Sequence, residues 1–194
     1  MEKSFLEFFK KFSQLNLSDI LEIYKISSIK SYKAGEKIAQ EGDQFDFALG
    51  ILKGVIRTYV IKSNGEERTV RIALEKDFTA CANCLLNDGK SNEFLEAVED
   101  CLVIQINTRK FKELTQQNIR LLRFWSDNIG QVLNETTNRI LFFVVMTPEE
   151  RYQALLDQNP EIILRVPQKY LASYIGITTV SLSRIRSRKA NSNN

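Results

Sequence analysis

Val166-Pro167-Gln168-Lys169-Tyr170-Leu171-Ala172-Ser173-Tyr174-Ile175-Gly176-Ile177-Thr178-Thr179-Val180-Ser181-Leu182-Ser183-Arg184-Ile185-Arg186 reads as a helix, a tight turn and a second helix. Leu171, Ala172 and Ile175 make one apolar face, and small Ala172 lets a crossing helix approach. Gly176 suits a helix end that needs positive φ. Thr178 is placed to cap the helix that follows. Leu182 and Ile185 face inward, three residues apart. Thr179, Val180, Ser181, Ser183, Arg184, Arg186 and Arg188 are left outward. Small side chains at the start of such a helix let its backbone approach a DNA major groove. Arg184 can then reach a guanine edge or a phosphate.

Charge supports this placement. Residues 165–194 hold six basic side chains and no acidic one, against 21 basic and 24 acidic in the first 164. The positive excess sits in one short tail, the footprint of a polyanion-binding segment. Lys169, Thr178, Thr179, Val180, Ser181, Ser183, Arg184, Arg186, Arg188 and Lys189 are the candidate DNA contacts. Arg184 would read a base beside Val180, Ser181 and Ser183. Lys169, Thr179, Arg186, Arg188 and Lys189 would meet phosphates.

Upstream, Thr147-Pro148-Glu149-Glu150 is a helix start: Thr147 at the N-cap, Pro148 at the first helical position, Glu150 closing a capping box. That helix runs to about Asp157, and Asn159-Pro160 ends it. Before it, residues 118–146 form one long helical pattern. Ile119, Leu122, Ile129, Val132, Thr136, Ile140 and Phe143 make a stripe that needs a partner, either its own β-domain or a second copy. They are the candidate dimerisation residues.

The first hundred residues read differently. Phe5, Phe8, Phe9 and Phe12 form a helical face, and Ser18 is placed to cap a second short helix with Ile20 and Ile23. From about residue 29 the period becomes two. Arg57–Lys62 and Glu67–Ala73 flank Asn64-Gly65, which predicts a hairpin with a type I′ turn. Glu66 and Glu67 read as solvated hairpin charges. A strand over Leu95 to Ile106 closes a small sandwich or barrel. Thr108 is placed to cap the next helix, and the last four residues are expected to lack structure. The fold class is α+β. The expected units are a β-domain over 1–108, helices over 109–146 and a helix-turn-helix domain over 147–194.

The composition excludes several chemistries. The chain has 194 residues and no histidine, which removes Ser-His and Cys-His nucleophiles and histidine metal sites. There is no phosphate loop and no dinucleotide glycine fingerprint. We therefore expect no catalytic residue, no metal and no cofactor, and so no enzyme. The three cysteines, Cys81, Cys84 and Cys101, do not suggest a disulfide framework. Cys81 and Cys84 are a lone CxxC, read as two packed reduced thiols or, more sharply, a redox switch. No apolar run approaches a membrane span and the N-terminus is not a secretion signal, so the expected compartment is the cytoplasm, with no membrane partner.

At these residues the chain resembles the Crp/Fnr family of bacterial regulators. Gly35-Glu36-Lys37-Ile38, Gly42-Asp43 and Leu49-Gly50-Ile51-Leu52-Lys53-Gly54 resemble the glycine pattern of its cyclic-nucleotide-binding β-roll. Thr147-Pro148-Glu149-Glu150-Arg151 resembles the entry to its DNA-binding domain, and Ile177-Thr178 through Ser183-Arg184-Ile185 its recognition helix. The resemblance implies a β-roll sensor of the double-stranded jelly-roll type, a long dimerisation helix and a winged helix-turn-helix. It implies a homodimer on palindromic double-stranded DNA, with RNA polymerase a further candidate partner. Cyclic-nucleotide-binding members hold the phosphate with an arginine; here Ser91 or Asn92 stands there, beside Glu93. A buried phosphate without a cation is disfavoured, so no cyclic AMP binding is expected. Arg71, Phe78, Ser91 and Asn92 are the candidate effector-pocket residues, for an effector the sequence does not identify. The oxygen-sensing branch uses four cysteines, mostly near the N-terminus, which this chain lacks; an iron–sulfur cluster is not expected. The alternative is a ligand-sensing or protein-interaction β-roll module without DNA binding.

Overall fold

The computed structural model describes residues 2–87 and 89–192, with side chains described as far as Lys189. Two short helices come first, α1 (Lys3–Phe9) and α2 (Leu17–Lys25). Asn16, not Ser18, caps α2: its side chain accepts from the Asp19 amide while Asp19 accepts from the Asn16 amide. Both residues are competent caps, and Asn16 wins because Asp19 then completes a capping box.

The strands follow: β1 (Ser27–Tyr32), β2 (Lys37–Ala39), β3 (Phe47–Lys53), β4 (Ile56–Ile61), β5 (Glu67–Ala73), β6 (Phe78–Ala80), β7 (Phe94–Ala97) and β8 (Cys101–Asn107). Helix α3 (Ala82–Asn87) lies between β6 and β7. The strands form two four-stranded antiparallel sheets, β1-β8-β3-β6 and β2-β7-β4-β5. The single strand expected over residues 95–106 is instead β7 and β8, which belong to different sheets. The β4–β5 hairpin forms, but its turn is not type I′. Gly65 has φ +81° while Asn64 is not in the left-handed region, and the Gly65 amide donates to the Lys62 carbonyl at 2.8 Å. This is a three-residue loop whose one left-handed position falls to glycine.

Between the sheets the roll interior is filled by Leu49, Ile51, Ile56, Leu95 and Val103, with Cys81, Cys84 and Cys101 among them. Alternation along β3, β6 and β8 sends Gly50, Phe78, Ile104 and Ile106 outward. There the phenylalanines of α1 cover the sheet, with Phe5, Phe8, Phe9, Phe111 and Phe124 in one cluster. Gly50 makes this possible: a Cβ there would stand 2.8 Å from the Phe8 ring.

Helix α4 (Thr108–Gln117) is capped by Asn107, one residue before the expected Thr108. Helix α5 (Ile119–Val145) then runs 27 residues. Its start is anchored to α2, where Arg120 clasps the fully buried Asp19 at 2.8 and 3.0 Å and holds that carboxyl at about 2. Beyond it come α6 (Pro148–Gln158), α7 (Ile162–Arg165), α8 (Gln168–Ile175) and α9 (Thr179–Ser192). Helix α9 extends two residues into the tail expected to be unstructured; Asn193 and Asn194 lie outside the described residues. Strands end at Asn107 among the described residues, so the wing that the resemblance implies is not found there. None of the described helices is long and apolar enough to cross a membrane.

Candidate nucleic-acid interface

The start signal at residue 147 folds as its chemistry dictates. The Thr147 hydroxyl accepts from the Glu150 amide, Glu150 accepts from the Thr147 amide, and Pro148 opens α6. Helix α8 buries Leu171, Ala172 and Ile175. It ends at Gly176 with φ +75°, where a Cβ would meet the Phe143 ring at 2.7 Å. Glycine is thus required twice there, by the backbone angle and by the close approach of α5. Thr178 caps α9, its hydroxyl accepting from the Ser181 amide at 3.1 Å. Leu182 and Ile185 are buried in a core shared with α6, α7 and α8.

That burial fixes the outer face of α9. Thr178, Thr179, Val180, Ser183 and Arg184 are exposed, and Ser181 and Arg186 half-buried. They fall on one side, with small residues toward the N-terminus and arginine a turn later. Lys169 is exposed at the start of α8, its ammonium 4.6 Å from the Tyr170 ring centre. Arg188 and Lys189 are placed less freely than the other basic residues. Arg188 pairs with Glu149 at 3.2 Å, and Lys189 donates to the Gln153 side chain on α6.

The helix pair is bound firmly to the β-roll. Arg165 at the end of α7 donates to both Glu75 oxygens, at 2.6 and 2.9 Å, and reaches Glu99 as well. Its guanidinium holds the Glu75 carboxyl down at about 2. Arg57 on β4 is 1% exposed. It lies between the rings of Tyr59 and Tyr170, with its carbon 3.9 and 3.6 Å from their centres, and donates to Glu96 at 2.8 Å and Glu67 at 2.6 Å. Glu67 is therefore not simply a solvated hairpin charge. The Thr69 amide on β5 donates to Ser173 Oγ on α8 at 2.9 Å. Arg139 of α5 stacks on Tyr174 at 3.7 Å and donates to its carbonyl. None of these ties was foreseen from the sequence; apart from those of Arg57 with Tyr59 and Glu67, each joins residues far apart along the chain.

The stripe of α5 divides. Ile119, Leu122, Val132, Thr136 and Ile140 are exposed and Ile129 half-buried, while Leu121 and Phe124 face the β-roll. Phe143, though partly open, turns toward Gly176. Leu133, missed in the sequence reading, is 67% exposed on the same side as Ile129 and Ile140. A step of four from Ile129 finds it; a step of three finds Val132.

The four effector-pocket candidates do not converge. Arg71 and Phe78 line a cavity on the outer face of the roll, where Arg71 pairs with Glu135 of α5 at 2.9 Å. Ser91 is buried with its hydroxyl donating to the Glu93 carbonyl at 2.7 Å, and Asn92 is exposed on the loop before β7. Cys81 and Cys84 are free and buried; burial and the neighbouring Cys81 push the Cys84 thiol up to about 11. No cluster of potential metal ligands occurs among the described residues.

Known proteins with the same pattern fit this geometry. Residues 29–118 match the cyclic nucleotide-binding domain family. The nitrogen fixation regulation protein FixK of Bradyrhizobium diazoefficiens is 21% identical over 183 residues, 89% of this chain and 76% of that protein. The cAMP-activated global transcriptional regulator Vfr of Pseudomonas aeruginosa is 25% identical over 170 residues, 80% of this chain and 79% of that one. The solved structure of FixK2 from Bradyrhizobium japonicum superposes with a TM-score of 0.75 at 19% identity, covering 87% of this chain and 86% of that one. The β-roll, the long helix and the C-terminal helix-turn-helix follow one another in a single chain. Residues 29–118 thus carry a cyclic nucleotide-binding domain, and the chain as a whole is similar to transcription regulators of the Crp/Fnr type.

Proposed function

We propose that this regulator binds double-stranded DNA sequence-specifically as a homodimer, on a palindromic operator, and does not respond to cyclic AMP. The observation that carries the reading is α9: Leu182 and Ile185 are buried while Thr179, Val180, Ser183 and Arg184 stand exposed together. Such a face suits a major groove, with Arg184 reading a base and Val180 beside it. Lys169, Thr179 and Arg186 flank it as phosphate contacts, and Arg188 and Lys189 join them once released from α6. The units are taken as 1–108 for sensing, 109–146 for dimerisation and 147–194 for DNA. Helix α5 supplies the seam through Ile119, Leu122, Ile129, Leu133 and Ile140, an apolar line repeating close to every three and a half residues. RNA polymerase is a candidate partner of the DNA-bound dimer.

Cyclic AMP is disfavoured by the loop before β7. Ser91 and Asn92 offer no cation, the Ser91 hydroxyl is spent on the Glu93 carbonyl, and burial pushes the neighbouring Glu93 carboxyl upward. Calorimetry with cyclic AMP should therefore show no heat at micromolar nucleotide; a clear isotherm overturns this point.

Selection of bound duplexes from a random pool tests the main reading. The expected result is a two-fold symmetric consensus. Arg184→Ala should weaken binding by ~1–3 kcal/mol and relax one position of each half-site. Unchanged affinity and unchanged preference would remove Arg184 from the interface. Absence of salt-dependent binding to any duplex would favour the alternative, a β-roll sensing or protein-interaction module.

A further inference from the structure

A cavity of about 400 Å³ lies outside the β-roll, between its outer sheet, α3 and α5. Phe78 and Ala80 of β6 form its floor, Leu85 and Leu86 of α3 one wall, and Trp125 and Val132 of α5 the roof. This is not the roll interior, which Leu49, Ile51, Leu95 and Val103 fill. It is also apart from Ser91 and Asn92, which do not line it. Its volume is in the range of small-molecule sites, and its apolar walls with few polar groups match their usual make-up. Leu86 and Val132 remain 55% and 41% exposed, so large apolar side chains face open space here.

The polar groups present set the ligand class. Arg71 is the only ion among the described lining residues, and Glu135 already neutralises it at 2.9 Å. The Asn128 amide donates to the Phe124 carbonyl at 2.7 Å. An anionic group placed here would find no unpaired cation and would lose its water without compensation. We infer that the cavity is a binding site for an uncharged, mainly apolar small molecule, held between the outer face of the β-roll and α5. Its open side runs along Ile129 and Leu133, where a second copy's α5 would close over the occupant. The site does not rest on the DNA-binding reading.

The chain's single tryptophan is Trp125 in the roof, which makes a direct assay available. Purified full-length protein is titrated with N-phenylnaphthylamine, an uncharged apolar fluorophore, with excitation at tryptophan. The expected result is saturable probe emission at micromolar concentration with matching loss of Trp125 emission. Anilinonaphthalene sulfonate, the charged analogue, should bind about tenfold more weakly. Val132→Phe fills the roof from an exposed helix face and should weaken the probe about tenfold at unchanged unfolding temperature. Leu164→Ala removes a large exposed apolar side chain on α7, away from the cavity, and should change nothing. No saturable binding, equal binding of the sulfonate, or indifference to Val132→Phe would each overturn the inference. So would the partner's side chains filling the space in the dimer, since the probe then finds no room. None of these readouts involves DNA, so failure here is separable from failure to bind an operator.

Discussion

Replacing Arg165 by methionine should weaken the junction between the β-roll and the helix-turn-helix by ~2 kcal/mol. The guanidinium makes two hydrogen bonds to Glu75, at 2.6 and 2.9 Å, and reaches Glu99, with the three side chains 24%, 32% and 34% exposed. Exposed ion pairs contribute ~0–1 kcal/mol, while breaking a fully buried one costs ~3–5. A quarter to a third exposed, this cluster falls between. The depression of Glu75 from 4.5 to about 2 gives a second estimate. At 1.36 kcal/mol per unit it is worth at most ~3 kcal/mol, and water access to the carboxylate brings that to ~2. Because the folded value lies below the unfolded one, this stability is present above about pH 4.5 and is lost as pH falls toward about 2. Arg165→Met leaves Glu75 and Glu99 facing each other, so it should lower stability at neutral pH and flatten the fall on acidification. Urea unfolding from neutral pH down to about pH 3 measures both, and the unfolding temperature should drop by ~4–8 °C. A variant within ~0.5 kcal/mol of the parent at neutral pH, with the same acid slope, would refute the reasoning.

Three further outcomes follow from the same contacts. Glu96→Gln should destabilise by ~2–3 kcal/mol and Glu67→Gln by under ~1, because both face Arg57 but their side chains are 10% and 44% exposed; equal effects in denaturant titrations would contradict this. Gly176→Ala should cost ~1–3 kcal/mol in thermal unfolding, from the φ of +75° and the 2.7 Å approach to Phe143. Leu133→Glu should shift the protein toward monomer in sedimentation while leaving the unfolding of the β-roll unchanged; a dimer of undiminished affinity would move the seam elsewhere.

The helix-turn-helix was legible because short-range and long-range demands agree on the same residues. Gly176 and Thr178 are chosen by local backbone chemistry, and Leu171, Ile175, Leu182 and Ile185 by the period of burial. Where two neighbours could do the same job, spacing alone chose wrongly. Asn16 rather than Ser18 and Asn107 rather than Thr108 are the caps, each Asn lying just ahead of an equally competent hydroxyl. The hairpin between β4 and β5 was readable from its flanks, but the turn type depended on whether Asn64 or only Gly65 takes positive φ. Arg57 marks the limit of pattern reading. In a polar-looking hairpin it suggests solvent, yet Tyr59, Tyr170, Glu67 and Glu96 enclose it, and Tyr170 arrives from the far end of the chain. The effector candidates failed to converge for the same reason: sequence proximity to a known loop placed Ser91 and Asn92, while the open space lies on the other side of the sheet.

This arrangement has a consequence for how a signal could travel. Val55 and Ile72 of the β-roll belong to the same buried cluster as Leu171, Ile175, Leu182 and Ile185. Helix α9 therefore has no core separate from the β-roll. Its angle is set through α8, which the Thr69 amide, the Arg57–Tyr170 stack and the Arg165 clasp hold on β4, β5 and the turns beside them. From the other side Arg139 of α5 grips Tyr174. Reorienting α9 relative to the roll must break the Arg165 ion pairs with Glu75 and Glu99 and the Tyr170 hydrogen bond to Glu96, together with apolar contacts. Close-packed contacts of this kind resist gradual deformation, so the helix pair either stays docked or releases as a unit. A ligand that moves α5 against the roll acts on that choice directly, because α5 touches both the outer cavity, through Trp125 and Val132, and the helix-turn-helix, through Arg139 and Phe143.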